Sequence, residues 1–351
     1  MNVKPLFKLM VEKRASDLFF APYAPAKIKI DGKIMPVNKL EMTPKMVKQA
    51  ALELMDEIQL DIFTRELEVD FAISEAGLGR FRVNVFHQRG NVAMVLRYIT
   101  ADMPVLDDLG MPEQLKDLVM LRRGLILMVG ASGNGKSTTL AAMINHRNEK
   151  TSSHIITVED PIEFLHPNKQ SIVNQREVGL DTKSYATALK SAMRAAPDVI
   201  QIGEIRDRES MQSAIDMAGT GHLVLATLHS NNAPETLDRI INMFPQEQHA
   251  QIFMDLAHYL RAIISQRLVR SRAGKRVAAV ELMLNTPHIK DLILKGDISE
   301  VKEAIKSSSE KGVQNFDDAL LNLYKAGTIT LEEAMSHADS RSNLEAKVNF
   351  G

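Results

Sequence analysis

The order of apolar and polar residues changes character along the chain. In the first part, apolar residues three and four apart predict a short helix over residues 3–14, and alternation about an Asp-Gly pair predicts a hairpin over 26–35. A helical period returns over 43–67, where Thr43 and Pro44 are typical of a helix start. Three strands are predicted after it: 70–73, 80–86 and 91–99. This part is expected to form a mixed α+β domain over residues 1–99.

The second part alternates strands and helices. Residues 100–112 are rich in turn-forming and acidic residues, which indicates a linker and a hinge. Buried apolar strands are predicted at Leu125–Val129, Ile155–Val158, Val199–Ile202 and Leu223–Leu228, with helices beginning near Ser137, Ser184, Glu209 and Pro234. The alternation predicts an α/β domain over 113–285, a sheet with helices on both faces.

The end of the chain has a weaker pattern. After about Gln246, apolar residues at helical spacing predict one long amphipathic helix that runs to Ile264. A strand is predicted over 277–284, and short helices over 286–351. These last residues are the least informative part of the sequence.

Composition supports two globular domains and narrows the function. The 351 residues give a prior of two domains at about 150 residues each. Lys and Arg number 43 against 44 Asp and Glu, which argues against a domain that coats nucleic acid. With no cysteine, thiol chemistry and Cys-based metal sites are excluded. No apolar run approaches the roughly 20 residues that span a bilayer, so we expect a cytosolic chain that reaches a membrane only through partners.

A phosphate-binding loop is the strongest chemical signal. Residues 130–137 read Gly-Ala-Ser-Gly-Asn-Gly-Lys-Ser, which matches G-x-x-x-x-G-K-[ST] between a predicted strand and a predicted helix. Such a loop turns backbone N–H groups toward phosphate, while its lysine meets the outer phosphate oxygens and its serine binds Mg²⁺. The sequence thus predicts ATP and Mg²⁺ as ligands. The expected nucleotide-binding residues of the loop are Gly130, Ala131, Ser132, Gly133, Asn134, Gly135, Lys136, Ser137 and Thr138.

Carboxylates follow two further strands. Glu204 comes after the strand that ends at Ile202, where a P-loop protein needs an acid near the metal. Glu159, Asp160 and Glu163 follow the strand before it. We expect Glu163 to act as the base that aligns water, and Glu159 or Asp160 to lie nearer the metal; an exposed acidic turn is the alternative. Gln201 is unexpected, because a central parallel strand normally carries apolar residues on both faces.

Two histidines and several arginines are weaker candidates. His222 and His229 bracket one predicted strand, so His229 emerges where parallel strands deliver functional groups and fits a phosphate sensor. Either histidine is also compatible with a purely structural role. Arg80, Arg82 and Arg97 fit ion pairs on a sheet face or contacts with a nucleotide of a neighbouring subunit. A basic run over 267–276 is expected to form a solvated or subunit-facing turn between a helix and a strand.

The four motifs together resemble the type II/IV secretion ATPases. Residues 130–137 are similar to their Walker A motif, 159–163 to the Asp box, 203–207 to Walker B and 220–229 to the His box, and the whole chain resembles the PilT/PilU family of pilus retraction motors. The resemblance implies a PAS-like first domain and a RecA-like second domain. It also implies that Glu163 and Glu204 are catalytic with Lys136 and His229, that His222 contributes to nucleotide binding, and that basic residues of the first domain complete an adjacent site.

The same resemblance implies an assembly and a location. Members form homohexameric rings at the cytoplasmic face of the inner membrane, where they act on a pilus platform protein in twitching motility. The absence of cysteine favours the retraction branch, since extension relatives usually carry a four-cysteine zinc module. The Ala-Ser-Gly-Asn of the P-loop and the segment 288–295 look like the PilU branch, which leaves two alternatives: an autonomous motor, or an ATP-binding subunit that assists a PilT-like motor. A RecA-like nucleic-acid translocase is a further alternative that the neutral charge and the lack of stacking aromatics disfavour.

Overall fold

The chain forms two compact units, residues 1–102 and 103–351. A computed structural model describes residues 3–30, 32–99 and 102–350. The predicted hairpin turn at Asp31 and the first two linker residues, 100 and 101, lie outside the described residues. The predicted domain boundaries stay predictions.

The first unit is an antiparallel sheet with three helices. Its six strands lie in the order β3-β2-β1-β6-β5-β4. The elements are α1 (Lys4–Glu12), β1 (Asp17–Phe20), β2 (Pro25–Ile30), β3 (Lys33–Glu41), α2 (Pro44–Leu52), α3 (Glu57–Glu66), β4 (Glu68–Glu75), β5 (Gly79–Gln88) and β6 (Asn91–Ile99). The predicted mixed α+β character is therefore confirmed, and β1 is a strand that the pattern did not predict.

Alternation along β5 decides which side chains of the first unit face its core. Phe81, Val83 and Val85 are completely buried, and the Phe81 ring stacks on Phe7 of α1 at a centroid distance of 4.5 Å. Because successive side chains of a strand point to opposite faces, the arginines of β5 lie on the other face of the sheet. The predicted N-cap is confirmed, since the Thr43 side chain accepts a hydrogen bond from Met46 N.

The second unit is a largely parallel sheet covered by helices on both faces. Its seven strands lie in the order β13-β12-β7-β11-β10-β8-β9. The elements are α4 (Gln114–Val119), β7 (Gly124–Val129), α5 (Lys136–Lys150), β8 (His154–Glu159), β9 (Ile172–Glu177), α6 (Tyr185–Ala192), β10 (Val199–Ile202), α7 (Arg208–Gly219), β11 (Leu223–Leu228), α8 (Ala233–Asn242), α9 (His249–Tyr259), β12 (Leu260–Arg270), β13 (Arg276–Leu284), α10 (Pro287–Lys295), α11 (Val301–Lys306), α12 (Phe316–Lys325), α13 (Leu331–His337) and α14 (Arg341–Phe350).

Strands buried on both faces place the chemistry at one edge of this sheet. Every residue of β7, β10 and β11 is buried, as the continuous apolar runs predict. Strands β7, β11, β10 and β8 pair in parallel. Their carboxyl ends therefore lie at the same edge, which is where open α/β sheets bind ligands.

Residues 260–270 correct one prediction. Helix α9 ends at Tyr259, and Leu260 begins strand β12 instead of continuing the helix toward Ile264. Ile263 and Ile264 are both completely buried, since β12 lies between β7 and β13 with helices on both sides. A strand that is apolar on both faces has no alternation, so its periodicity cannot be told from that of a buried helix.

The same correction applies to the basic run. Arg267 and Arg270 lie on β12, and the turn that follows joins two antiparallel strands rather than a helix and a strand. The Arg267 guanidinium pairs with Asp339 at 2.7 Å and lies 3.8 Å from the Phe316 ring centroid. Arg267 therefore holds part of the C-terminal helices against β12.

Strand β9 and the packing of the predicted C-terminal helices against the sheet were not predicted from the sequence. Strand β9 pairs with β8 at the sheet edge, and its polar residues gave no strand signal. The C-terminal helices pack against β12 and β13 around Phe316, Leu320 and Leu344.

Over the described parts of the chain, no helix has the length and apolar character needed to cross a bilayer.

Candidate nucleotide-binding site

The loop between β7 and α5 is shaped by glycines. Gly130, Gly133 and Gly135 have φ values of 145°, 80° and 79°, which L-residues with a side chain rarely adopt. A Cβ on Gly130 would lie 2.4 Å from the backbone oxygen of Gln266. The loop can therefore pass this close to β12 only with glycine at residue 130.

Lys136 is the first residue of α5 and is turned back over the loop. Its Nζ donates hydrogen bonds to the backbone oxygens of Gly130 and Ala131 at 2.8 and 3.0 Å. Burial lowers the pKa of Lys136, while Glu204 and Glu163 act against that shift by favouring the charged form. The ammonium is thus held at the loop, where a phosphate group would offer it stronger acceptors than two carbonyls.

Gln266 on β12 holds the loop in place, and its role was not predicted from the sequence. Its Nε2 donates to the Asn134 backbone oxygen at 2.7 Å, and its Oε1 accepts from Thr139 Oγ1 at 2.8 Å. Leu268 N also donates to Asn134 Oδ1 at 3.4 Å. A polar residue between an apolar segment and the basic run was the only available hint, and no strand was predicted there because the predicted helix ends at Ile264.

Glu204 and His229 meet at the ends of neighbouring strands. His229 Nε2 lies 2.7 Å from Glu204 Oε1, and Arg206 Nε donates to Glu204 Oε2 at 2.7 Å. The adjacent Gly203 leaves little room, because a Cβ there would lie 2.9 Å from the Tyr185 hydroxyl. The Glu204 carboxylate thus contacts a histidine and an arginine at the carboxyl ends of the parallel strands.

Glu159 is buried among protein partners. Its Oε1 accepts from Thr157 Oγ1 at 2.7 Å and from Gln175 Nε2 at 3.1 Å. Burial raises the pKa of Glu159, an effect that these hydrogen bonds oppose. One oxygen of the Glu159 carboxylate thus accepts hydrogen bonds from residues of the sheet. Asp160 and Glu163 lie in the loop that follows β8.

One cavity of about 410 Å³ brings most of the predicted residues together. It lies above the carboxyl ends of the parallel strands and includes the start of α5. The predicted residues that line it are Ser132, Gly133, Gly135, Lys136, Ser137, Thr138, Glu159, Asp160, Glu163, Glu204 and His229. Gly130, Ala131 and Asn134 line a smaller pocket on the other side of the same loop.

His222 is not brought into this cavity within one chain. It precedes β11, whereas His229 follows the same strand, so the two side chains start about 20 Å apart at the usual rise per residue. His222 Nδ1 lies 3.1 Å from the Met217 backbone oxygen and 3.2 Å from Thr220 Oγ1. Its expected part in nucleotide binding stays a prediction.

The three candidate arginines of the first unit lie on its sheet. Arg82 Nε donates to Asp70 Oδ2 at 2.9 Å, and Arg97 Nε donates to Asp17 Oδ1 at 2.8 Å. Asp17 is buried, so Arg97 compensates a carboxylate inside the unit. Arg80 occupies β5 opposite Ile99 of β6. Sheet-face ion pairs are thus present for Arg82 and Arg97, and a role at a neighbouring nucleotide stays a prediction for all three.

The oxygen ligands at the cavity suit magnesium bound through a nucleotide. Within residues 3–30, 32–99 and 102–350, no group of three or more His, Cys, Asp or Glu side chains is arranged to hold a metal by itself. Mg²⁺ in nucleotide sites usually takes one or two protein oxygens, with phosphates and water completing its shell. The Ser137 hydroxyl and the Glu204 and Asp160 carboxylates supply ligands of that kind.

Comparisons with known proteins agree on the class of protein. A family model described as type II/IV secretion system protein matches residues 2–315. The type IV pilus ATPase PilU of Pseudomonas aeruginosa is 50% identical over 352 residues, covering 100% of this chain and 92% of that protein. The type IV pilus retraction ATPase PilT of the same organism is 39% identical over 344 residues, covering 98% of this chain and 100% of that protein.

A solved structure agrees with the fold. The crystal structure of the pilus retraction motor PilT with bound ADP has a TM-score of 0.93 and 42% identity, and the match covers 98% of this chain and 99% of that one. The chain belongs to the type II/IV secretion system protein family. The predicted α/β fold with a RecA-like second domain is confirmed, as is the predicted type IV pilus retraction type of ATPase, and with it nucleotide binding.

Proposed function

We propose that this chain is a PilU-like motor that hydrolyses magnesium-bound ATP and takes part in type IV pilus retraction. The observation that carries the proposal is the convergence of Lys136, Glu163, Glu204 and His229 on one cavity at the carboxyl ends of parallel strands. The sequence motifs predict a functional role for each of these residues. The PilU and PilT relatives support the assignment to pilus retraction.

The residues divide the work of phosphoryl transfer. The P-loop backbone and Lys136 bind the phosphates, and the positive end of α5 adds its dipole. Bound magnesium supplies positive charge to the phosphate oxygens, with Ser137, Glu204 and Asp160 as the residues that would hold it and its shell. Glu163 accepts a proton from the attacking water, and His229, whose Nε2 lies 2.7 Å from Glu204 Oε1, senses the terminal phosphate.

The motor is proposed to work as a homohexamer at the cytoplasmic face of the inner membrane, where it acts on a pilus platform protein. In such a ring, His222 and the arginines Arg80, Arg82 and Arg97 are candidates for completing the site of a neighbouring subunit. The segment 100–112 is the proposed hinge through which loss of the terminal phosphate changes the arrangement of the two units.

Steady-state ATPase of the full chain tests this proposal. Lys136→Ala is expected to abolish both nucleotide binding and turnover. Glu163→Gln is expected to retain magnesium-ADP binding and to lose turnover by at least about a hundredfold, since it removes only the base. Lys290→Ala on α10, a lysine outside the cavity, serves as the matched control. Wild-type rates in both cavity variants would reject the proposal.

A second candidate is an ATP-binding subunit that assists a PilT-like motor. It is favoured by the identity to a PilU, 50%, against 39% to the PilT of the same organism. ATPase activity of the purified chain, measured with and without a purified PilT-like partner, separates the two candidates. An autonomous motor hydrolyses ATP alone at the same rate per subunit as in the mixture. An assisting subunit gains ATPase activity only in the mixture.

A further inference from the structure

One polar side chain in the centre of the second unit's sheet has no role in the site described so far. Gln201 lies on β10, between β8 and β11, and is 6% exposed. Its Oε1 is buried and has no hydrogen-bond partner among the described residues. A buried amide oxygen without a partner costs about 1–3 kcal/mol, which an apolar side chain would avoid. We therefore expect a hydrogen-bond donor to Gln201 Oε1 that the described part of the protein chain does not itself provide.

The neighbouring strands do not supply that partner. Gln175 on β9, Thr157 on β8 and Gln201 form one row across the sheet, and Leu225 on β11 continues it. Thr157 and Gln175 both donate to Glu159, so their polar groups are already engaged. Leu225 has no polar side-chain atom. A partner for Gln201 must therefore come from the space above the sheet.

That space is the floor of the nucleotide cavity. Gln201 lines the cavity together with Lys136, Glu159 and Glu163. An amide oxygen only accepts hydrogen bonds, and phosphate oxygens also accept, so a phosphate cannot satisfy Gln201 Oε1 directly. The Lys136 ammonium is directed to two carbonyl oxygens of the loop. The cavity is polar and large enough to hold water, which can donate a hydrogen bond to the Gln201 oxygen.

We propose that Gln201 is a positioning residue that holds an ordered water at the floor of the cavity beneath the bound magnesium nucleotide. The inference rests on the proposed function, since it needs the nucleotide to occupy this cavity. A bridging water is nearly as favourable as a direct hydrogen bond, and the nucleotide shields it from exchange with bulk solvent. Gln201 thus strengthens nucleotide binding while adding nothing to the stability of the free protein.

The substitution Gln201→Met tests whether Gln201 strengthens nucleotide binding without stabilising the free protein. Methionine fills nearly the same volume without an amide, so the unfolding temperature of the free full-length protein is expected to stay unchanged or rise. Affinity for magnesium-ADP, measured by titration calorimetry, is expected to fall about three- to tenfold, and the stabilisation by magnesium-ADP in thermal unfolding should shrink accordingly.

Two variants in the same row are matched controls. Gln175→Met breaks hydrogen bonds to Glu159 and to the Phe164 backbone oxygen, so the free protein is expected to lose stability, opposite to Gln201→Met. Leu225→Met exchanges two apolar side chains and is expected to change neither the unfolding temperature nor the affinity appreciably.

The outcomes separate this inference from the proposed function. If the wild type binds magnesium-ADP and Gln201→Met binds it equally well, the role of Gln201 is rejected and the ATPase proposal stands. If the wild type itself fails to bind, the proposed function fails. Should the methionine variant not fold, Gln201→Asn keeps the amide but withdraws it from the cavity, and weaker binding is again expected; unchanged affinity would overturn the inference.

Discussion

Thr139 on the first helix of the nucleotide site and Gln266 on a strand far along the chain are joined by a buried hydrogen bond of 2.8 Å from Thr139 Oγ1 to Gln266 Oε1. The amide nitrogen of the same glutamine donates to the Asn134 backbone oxygen. The helix and the loop that precedes it are thus tied to one side chain. The P-loop owes its shape to β12 as well as to its own glycines.

Replacing Gln266 by leucine is expected to loosen the P-loop. The substitution leaves Thr139 and the Asn134 carbonyl without their partner, at a cost of about 1–3 kcal/mol for each buried group that stays unpaired. We expect a lower unfolding temperature and about tenfold weaker magnesium-ADP binding, measured by thermal unfolding and calorimetry. The exposed Gln246→Leu is the control. Equal nucleotide affinity in the Gln266 variant and the wild type would contradict this role.

Two glycines of the same loop are expected to respond differently to alanine. Both have positive φ, but a Cβ on Gly130 would lie 2.4 Å from the Gln266 backbone oxygen, whereas one on Gly133 meets nothing within 4 Å. Gly133→Ala should therefore cost only the backbone strain, about 1–2 kcal/mol. Gly130→Ala should displace the loop from β12 and abolish ADP binding. Similar affinities for the two variants would show that the close approach is unimportant.

His229→Ala is expected to slow turnover more than it weakens binding. The imidazole contacts Glu204 at 2.7 Å, so its loss alters a carboxylate that lines the cavity but leaves the P-loop intact. We expect kcat to fall about a hundredfold with ADP affinity changed by less than about threefold. The surface histidine variant His258→Ala controls for general effects. A raised KM with unchanged kcat would instead assign His229 to substrate binding.

Glu281 makes stability depend on pH. This buried carboxylate on β13 accepts from Ala233 N at 2.8 Å and from Ser265 Oγ at 3.0 Å. Burial raises its pKa from 4.5 to about 7, an effect that these hydrogen bonds oppose. Between those two pH values the folded protein keeps a proton that the unfolded chain releases. The contribution of this proton to the free energy of unfolding is therefore complete below pH 4.5 and is lost as the pH rises to 7.

The pH dependence is expected to disappear in Glu281→Gln. The neutral amide retains an acceptor for Ala233 N, so the stability of the variant relative to the wild type should increase from pH 5 upward and level off above pH 7 at roughly 3 kcal/mol. Unfolding temperatures measured across that range test this, with the exposed Glu247→Gln as the control. Parallel curves for Glu281→Gln and the wild type would mean that Glu281 is ionised in the folded protein throughout.

The sequence by itself determined the local chemistry. The glycine spacing of residues 130–135 requires backbone angles that only glycine adopts freely, and Lys136 and Ser137 follow at fixed offsets on the same turn. The continuous apolar runs of β7, β10 and β11 could be predicted because a parallel strand buried on both faces needs them. Since the ends of parallel strands share one edge, the meeting of Glu204 and His229 was also foreseeable.

Only the tertiary structure decided what lies behind and beneath the site. Residues 260–270 form a strand because pairing with β7 and β13 outweighs a local pattern that suits a helix equally well, and that pairing places Gln266 against the P-loop. The register of β8, β9 and β10 aligns Gln175, Thr157 and Gln201 in one row. Register and pairing depend on contacts between residues distant in sequence, so periodicity within one segment cannot reveal them.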